Sequence, residues 1–273
     1  MMFNVGRFSW RELTLTRVMN GIGRRLRDIP HSTKWFFGLD GADDNRKQLK
    51  AFRDRHKGER CFILANGPSL KEVDLLLLKD EFTFGMNRIY LHFSEMSYQP
   101  TYYVAINELV LEQFYMDIQT LSMPKFINWN KRDLFKRGNG ETLFLKMELG
   151  LRDDFNFEIT RPVSTGGTVT FVALQIAFYM GFKQVFLIGL DHSFNEKGIP
   201  NKIEVRSSQD DKNHFRPDYF PKGTLWQLPD LQRSELSYMI AKDTYEKTGR
   251  SILDATIGGK CPVFKRVAFE SLF

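Results

Sequence analysis

Between Trp10 and Arg27 the apolar residues Leu13, Leu15, Val18, Met19, Ile22 and Leu26 recur at three- and four-residue steps, with Arg11, Arg17, Arg24, Arg25 and Arg27 among them. This spacing predicts a basic amphipathic helix ended by Pro30. Such a helix either docks on its own domain or lies against an anionic surface. Asp43 to His56 predicts a second, strongly charged helix, and His31 and His56 are expected to face solvent.

Beyond residue 57 the pattern changes to short apolar runs alternating with helical periods. Arg60 to Ala65 predicts a buried strand bounded by Asn66-Gly67-Pro68, after which Ser69 is placed to cap a helix containing Val73 and Leu75 to Leu78. Further strands are predicted at Phe82–Met86, Thr101–Ala105, Lys125–Asn128, Thr142–Lys146, Gln184–Leu190 and Ser251–Leu253. Helices are predicted at 108–121, from the Ser164-Thr165-Gly166-Gly167 turn to Met180, at Leu231–Lys247, and near Phe264–Phe273. Strand, glycine turn, helix, strand is the order of a doubly wound, mostly parallel α/β sheet. Residues 192–229 are polar, with no clear period, and too long for a simple connector, which suits a lid or binding loop. The expected organisation is a basic helical segment over 1–57 and a Rossmann-like domain over 58–273.

Composition narrows the classes. With 42% hydrophobic and 26% charged residues, the chain is expected to be a globular protein rather than a disordered one or a membrane bundle. The uncharged run from Pro162 to Phe182 contains glycines, threonines and Gln175, so it reads as a buried helix and not a membrane span. The net charge is +6, yet residues 1–60 hold 14 Lys and Arg against 7 Asp and Glu, leaving 25 against 26 in the rest. Basicity confined to one appendage disfavours an evenly basic nucleic-acid reader. Two cysteines, Cys61 and Cys261, cannot build a disulfide framework, and the opening residues lack a secretory pattern. A cytoplasmic location is expected, peripheral to the inner membrane if the basic helix meets lipid.

Candidate chemistry gathers at strand ends, because ligands of open parallel sheets bind beyond the carboxyl ends of the strands. Asn66, Gly67, Ser69, Asn87, Asn107 and Asp191 all fall there, and Ser164, Thr165, Gly166 and Gly167 open a helix on the same edge. A helix N-terminus can hold a phosphate, and asparagines both donate and accept, which suits a base, ribose or sugar. The plain alternative is that these residues cap helices and make turns. Phosphate-loop, dinucleotide-fingerprint, zinc-protease and Asp-x-Asp motifs are absent from the sequence. Among the histidines, His92 suits packing, His192 follows Asp191, and His214 lies in the long loop as a candidate base.

The segments Cys61 to Asp74, Ser164 to Gly167 and Gly181 to Asp191 resemble the 6-hydroxymethylpterin diphosphokinase MptE-like family, itself similar to Maf glycosyltransferases. They also resemble the bacterial sialyltransferases of glycosyltransferase family 42. The resemblance implies a single GT-A-like domain and an inverting, metal-independent transfer of a nonulosonic acid from a CMP-activated donor, with no cofactor, to a glycan or lipid-linked acceptor. It assigns the CMP moiety to Asn66, Gly67, Asn87, Asn107, Thr165 and Gly166, and general-base catalysis to His214. The sequence departs from the sialyltransferases twice: Pro217 replaces a second lid histidine, and His192, Ser193 and Phe194 stand where lid tyrosines hold the donor phosphate, leaving Tyr219 or Lys222 as substitutes.

Two other functions fit a chain of this kind. One is a pyrophosphokinase acting on a hydroxymethylpterin, for which Asp191, Asp210 and Asp211 are the carboxylates nearest the expected site. The other is a non-catalytic scaffold that binds nucleotide or glycan.

Overall fold

The computed structural model describes residues 15–135, 141–150, 152–194 and 198–273. The chain divides into two compact units, Met1–Asp43 and Asp44–Phe273. Residues 44–57, grouped with the amino-terminal segment by sequence, thus belong to the larger unit. Phe52 is fully buried and meets Tyr102 and Phe126 edge-on.

Within the first unit, α1 spans Leu15–Phe36 and carries Pro30 in its interior. The expectation that Pro30 ends the helix is corrected. Proline lacks the N–H that would bond to Leu26, yet its φ is compatible with helical backbone, and Thr33 returns a hydroxyl bond to Ile29 O at 2.8 Å. Ile22, Leu26, Ile29 and Phe36 lie along one exposed stripe of this helix. Trp10 to Thr14, at the start of the expected helix, lie outside the described residues. The helix α2 (Ala42–Lys50) follows, shorter than expected.

The larger unit is built on eight parallel strands: β1 (Arg60–Leu64), β2 (Phe82–Met86), β3 (Tyr102–Ala105), β4 (Lys125–Asn128), β5 (Thr142–Leu145), β8 (Gln184–Ile188), β11 (Ser251–Asp254) and β12 (Lys265–Arg266). Their order is β12-β11-β8-β1-β2-β3-β4-β5. Short pairs stand apart from it, β6 (Met147–Glu148) with β7 (Val163–Ser164) and β9 (Ile203–Val205) with β10 (Leu225–Gln227). The apolar runs read from sequence are the central strands, buried on both faces as parallel strands are. At the β5 edge, Asn45 takes the place of a further strand, accepting from Phe144 N at 2.7 Å and donating to Phe144 O at 2.8 Å.

Crossover helices complete the layers: α3 (Phe93–Met96), α4 (Glu108–Gln119), α5 (Val169–Tyr179) and α6 (Leu231–Lys247). Every residue of α5 from Thr170 to Tyr179 is buried. The Phe178 ring meets Phe155, Phe157 and Tyr245 edge-on, and aromatic pairs of this kind hold α5 between its neighbours. No helix among the described residues is long and apolar enough to cross a membrane.

Three expectations are corrected. The helix after β1 is two 3-10 turns, Pro68–Glu72 and Leu75–Leu78, the second capped by Asp74 rather than Ser69. The carboxyl-terminal helix is β12 followed by a 3-10 turn at Phe269–Leu272. His56 is buried, bonded to Glu59 and to Tyr102 Oη, both at 2.7 Å.

Candidate functional site

Chain order along the sheet reverses between β1 and β8, so the crevice of a doubly wound fold opens there. The two strand ends are tied across it. Asp191 receives the Ser69 hydroxyl at 2.7 Å and the Ser69 amide at 3.2 Å. A Cβ on Gly67 would stand 1.9 Å from Asp191 Oδ2 and 2.6 Å from Gly189 O, so only glycine admits this approach. Burial raises the Asp191 carboxyl above its ordinary value, and the Ser69 bonds offset only part of that.

The next strand ends each carry an asparagine. Asn66 donates to Met86 O at 3.0 Å, Asn107 caps α4 by accepting from Leu109 N and Val110 N, and Asn128 donates to Ile106 O at 3.1 Å. Asn87 follows β2 in the left-handed region, at φ 49°. Asn128 belongs to the same series and was not singled out from the sequence, although its position at the end of an apolar run is the same signal. Two of these side chains leave work undone: Asn66 Oδ1 and Asn87 Oδ1 are buried and take no hydrogen bond. A buried acceptor without a donor is costly, and a bound molecule could supply one.

Residues 198–229 fold down over these strand ends. Phe215 N donates to Asn66 O at 3.0 Å, the Arg88 amide donates to Tyr219 Oη at 3.2 Å, and the Arg88 guanidinium donates to Tyr219 O. Gln113 of α4 grips Leu225 of β10 from both sides, donating to its carbonyl at 2.9 Å and accepting from its amide at 2.8 Å. The loop read as polar and aperiodic therefore contains a hairpin and two buried aromatic anchors, Phe215 and Tyr219.

Beneath it lies a cavity lined by Asn87, Asn107 and His214 together with Phe194, Tyr219, Phe220 and Trp226. The His214 ring stacks on Tyr219 and is bonded through Nδ1 to Asp211 Oδ2 at 2.9 Å. Burial pushes the Asp211 carboxyl up, but the His214 bond and charge, the Asn213 amide and Arg206 outweigh it and hold the group below its ordinary value. The carboxylate partner and the aromatic lining escaped sequence reading. The i to i+3 spacing of Asp211 and His214 was the available signal.

The remaining candidates lie elsewhere. The Ser164 to Gly167 turn has an internal anion. Asp153 Oδ1 accepts from Ser164 Oγ at 2.9 Å and Gly166 N at 3.2 Å, while Arg233 donates to both Asp153 oxygens at 2.7 and 2.8 Å. The donors expected to meet a phosphate are thus spent on a side chain, with Thr165 Oγ1 3.5 Å from Arg233 Nη2. Burial raises Asp153, but Arg233, Ser164 and Gly166 together hold it below the ordinary carboxyl value. His192 Nε2 pairs with Glu235 of α6 at 2.9 Å. The Tyr219 hydroxyl accepts from the Arg88 amide, and Lys222 is exposed.

A parallel sheet of this order with polar strand ends under a folded-down loop defines a doubly wound α/β protein. The chain belongs to the 6-hydroxymethylpterin diphosphokinase MptE-like family, whose model matches residues 39–197. The Maf glycosyltransferase of Magnetospirillum magneticum AMB-1 superposes on 84% of this chain with a TM-score of 0.52 and 14% identity, and this chain spans 39% of that protein. The two chains therefore share a fold. A mammalian sialyltransferase crystallised with Gal-beta-1-3GalNAc-ortho-nitrophenol aligns over 81% of this chain and 80% of its own, at 12% identity and a TM-score of 0.38. No curated protein matches the chain.

Proposed function

We propose that this chain is a glycosyltransferase that moves a nonulosonic acid from a CMP-activated donor to a cell-surface glycan or its lipid-linked precursor. The observation that carries this reading is the cavity in which His214 faces Asn87 and Asn107 under the folded-down loop. The unpartnered Oδ1 of Asn87 supports it further, since a nucleotide base or ribose would supply the donor that this acceptor lacks. Asn66, Gly67, Asn107, Thr165 and Gly166 are the other nucleotide contacts under this reading. Because Asp153 already fills the Ser164 to Gly167 turn, Thr165 and Gly166 serve only if that carboxylate gives way.

In the transfer, His214 Nε2 takes the proton from the acceptor hydroxyl as its oxygen attacks the anomeric carbon. The bond from that carbon to the CMP phosphate oxygen breaks, and its electron pair leaves on the phosphate. The exposed stripe of Ile22, Leu26, Ile29 and Phe36 on α1, accompanied by Arg24, Arg25 and Arg27, suits the anionic inner face of a membrane where lipid-linked acceptors reside.

The printed description of the family supports a second reading, a pterin diphosphokinase. Two of its three candidate carboxylates are engaged elsewhere, Asp191 with Ser69 and Asp211 with His214. Among the described residues no three His, Cys, Asp or Glu side chains converge as a metal-ligand group.

Calorimetric titration with CMP, CDP, UDP and ATP, each with and without magnesium, separates the readings. Selective CMP binding that is indifferent to magnesium is the expected result. Preferential magnesium-dependent ATP binding would replace the transferase with the kinase, and no nucleotide binding would leave a scaffold.

A further inference from the structure

Histidines with a carboxylate within ion-pair distance include His56 with Glu59, His92 with Glu95, His192 with Glu235, and His214 with Asp211. Three of the four carboxylates reach solvent, with side chains 49%, 57% and 34% exposed, whereas the Asp211 side chain is 0% exposed. An exposed pair of this sort adds little to stability. A carboxylate withdrawn wholly from water costs several kcal/mol of hydration unless its oxygens are filled, so a fold carries one only where its bonds are used.

Those bonds are directional. Asp211 Oδ1 accepts from Asn213 N at 3.0 Å and faces Arg206 Nη2 at 3.6 Å, which leaves Oδ2 for His214 Nδ1 at 2.9 Å. Asp211 N donates to Pro217 O at 2.8 Å, fixing the carboxylate's own backbone. The imidazole plane is set independently by Tyr219, with ring centroids 4.0 Å apart and planes 2° apart. An ionised carboxylate can only accept, so Nδ1 must be a protonated nitrogen, and in the neutral ring Nε2 then carries the lone pair. In His56 the second nitrogen is taken by Tyr102 Oη, whereas His214 borders the cavity.

We propose that Asp211 is a positioning residue that holds His214 in the Nδ1–H tautomer, with the Nε2 lone pair presented to the cavity and ready to accept a proton. This inference rests on the transferase reading for its purpose, though its test does not. A base with the wrong tautomer has no lone pair to offer, and the loss from one carboxylate-to-amide change in such a pair is on the order of 10⁴ in turnover.

The test is nitrogen-15 NMR of the full chain labelled in its histidines, recorded at about pH 8.5, above the ordinary histidine range. His214→Gln identifies the signals of residue 214. The expected wild-type spectrum shows a protonated Nδ1 and an unprotonated Nε2. A majority Nε2–H form would overturn the proposal. In Asp211→Asn the amide oxygen is expected to stay with Asn213 N and the amide nitrogen to face the ring, reversing the tautomer, while Asp211→Glu restores the wild-type form. An unchanged tautomer in folded Asp211→Asn would also overturn it. If Asp211→Asn does not fold, the wild-type spectrum decides alone. The CMP titration is a separate arm: absence of CMP binding with the expected tautomer sinks the transferase and leaves the positioning intact.

Discussion

The rings of His214 and Tyr219 lie face to face with only 2° between their planes, and the tyrosine hydroxyl beneath is held by the Arg88 amide. Tyr219 is thus a platform for the imidazole. Tyr219→Phe keeps the platform and leaves the Arg88 N–H without its acceptor, for an expected loss of about 1 kcal/mol. Tyr219→Ala removes a fully buried ring and is expected to cost about 3–5 kcal/mol. Urea unfolding ranks the two, and proteolysis of residues 198–229 should quicken only in the alanine variant.

Asp153 holds the Ser164 to Gly167 turn, so its removal strands several donors at once. Asp153→Ala is expected to destabilise by about 2–3 kcal/mol, because the Gly166 amide and Ser164 hydroxyl lose a buried acceptor. The pH dependence has a defined sign. Asp153 titrates below its ordinary value of 3.8, so the stability it contributes is complete above about 3.8 and is lost as pH falls through the lowered value. Asp191 runs the other way, since its raised pKa erodes stability as pH climbs from 3.8 through the folded value. Melting curves of Asp153→Asn and Asp191→Asn between about pH 3 and 7 should both draw towards wild type at the acid end, where the wild-type carboxyls are protonated, and shift in opposite directions as pH rises, Asp153→Asn losing stability relative to wild type and Asp191→Asn gaining it.

Gly67→Ala places a methyl group against a carboxylate oxygen and a backbone carbonyl. Neither the Gly189 carbonyl nor the tied Asp191 can retreat freely, so a loss at or above about 3 kcal/mol is expected. Thermal denaturation checks it. A variant as stable as wild type would show that the Asp191 tie is not required.

Asn107 has two roles that a single alanine would confuse. Its Oδ1 caps α4, and its amide group lines the cavity. Asn107→Asp keeps the cap, since aspartate caps as well as asparagine, while Asn107→Ala is expected to cost about 1 kcal/mol of stability. Both should weaken CMP if the side-chain amide contacts nucleotide. Weakening by alanine alone would assign Asn107 to the helix and not to the ligand.

Strands were legible in the sequence because parallel strands buried on both faces must be short apolar runs, and asparagine or glycine marked where they stop. Helix α6 was read to its end residues, Leu231 and Lys247. Local pattern failed where distant groups decide. Ser69 looks like a helix cap but serves Asp191, 122 residues away, and Asp153 meets Arg233 across 80 residues. His56 sits among charged neighbours in the chain and among Phe82, Tyr102 and Phe182 in space. For the site, Asn87, Asn107 and His214 were found from strand-end position and loop placement, whereas Asp211 and the aromatic floor required the fold.

The clasp between Gln113 and Leu225 has a consequence for the wall of the cavity, which Leu225 helps to line. One side chain imitates an adjoining strand, and its two hydrogen bonds, worth a net of about 1–3 kcal/mol, fasten β10 to α4, while the buried Trp226 and the Arg206 contacts with Asp210 and Asp211 hold the hairpin on its other side. Tyr219 and Phe215 are anchored separately, by Arg88 and Asn66. The loop is in this sense fastened twice over: its two short strands, 203–205 and 225–227, are clasped to α4 by one side chain, and the segment 211–219 between them, which carries His214, is fastened to the strand ends of the main sheet.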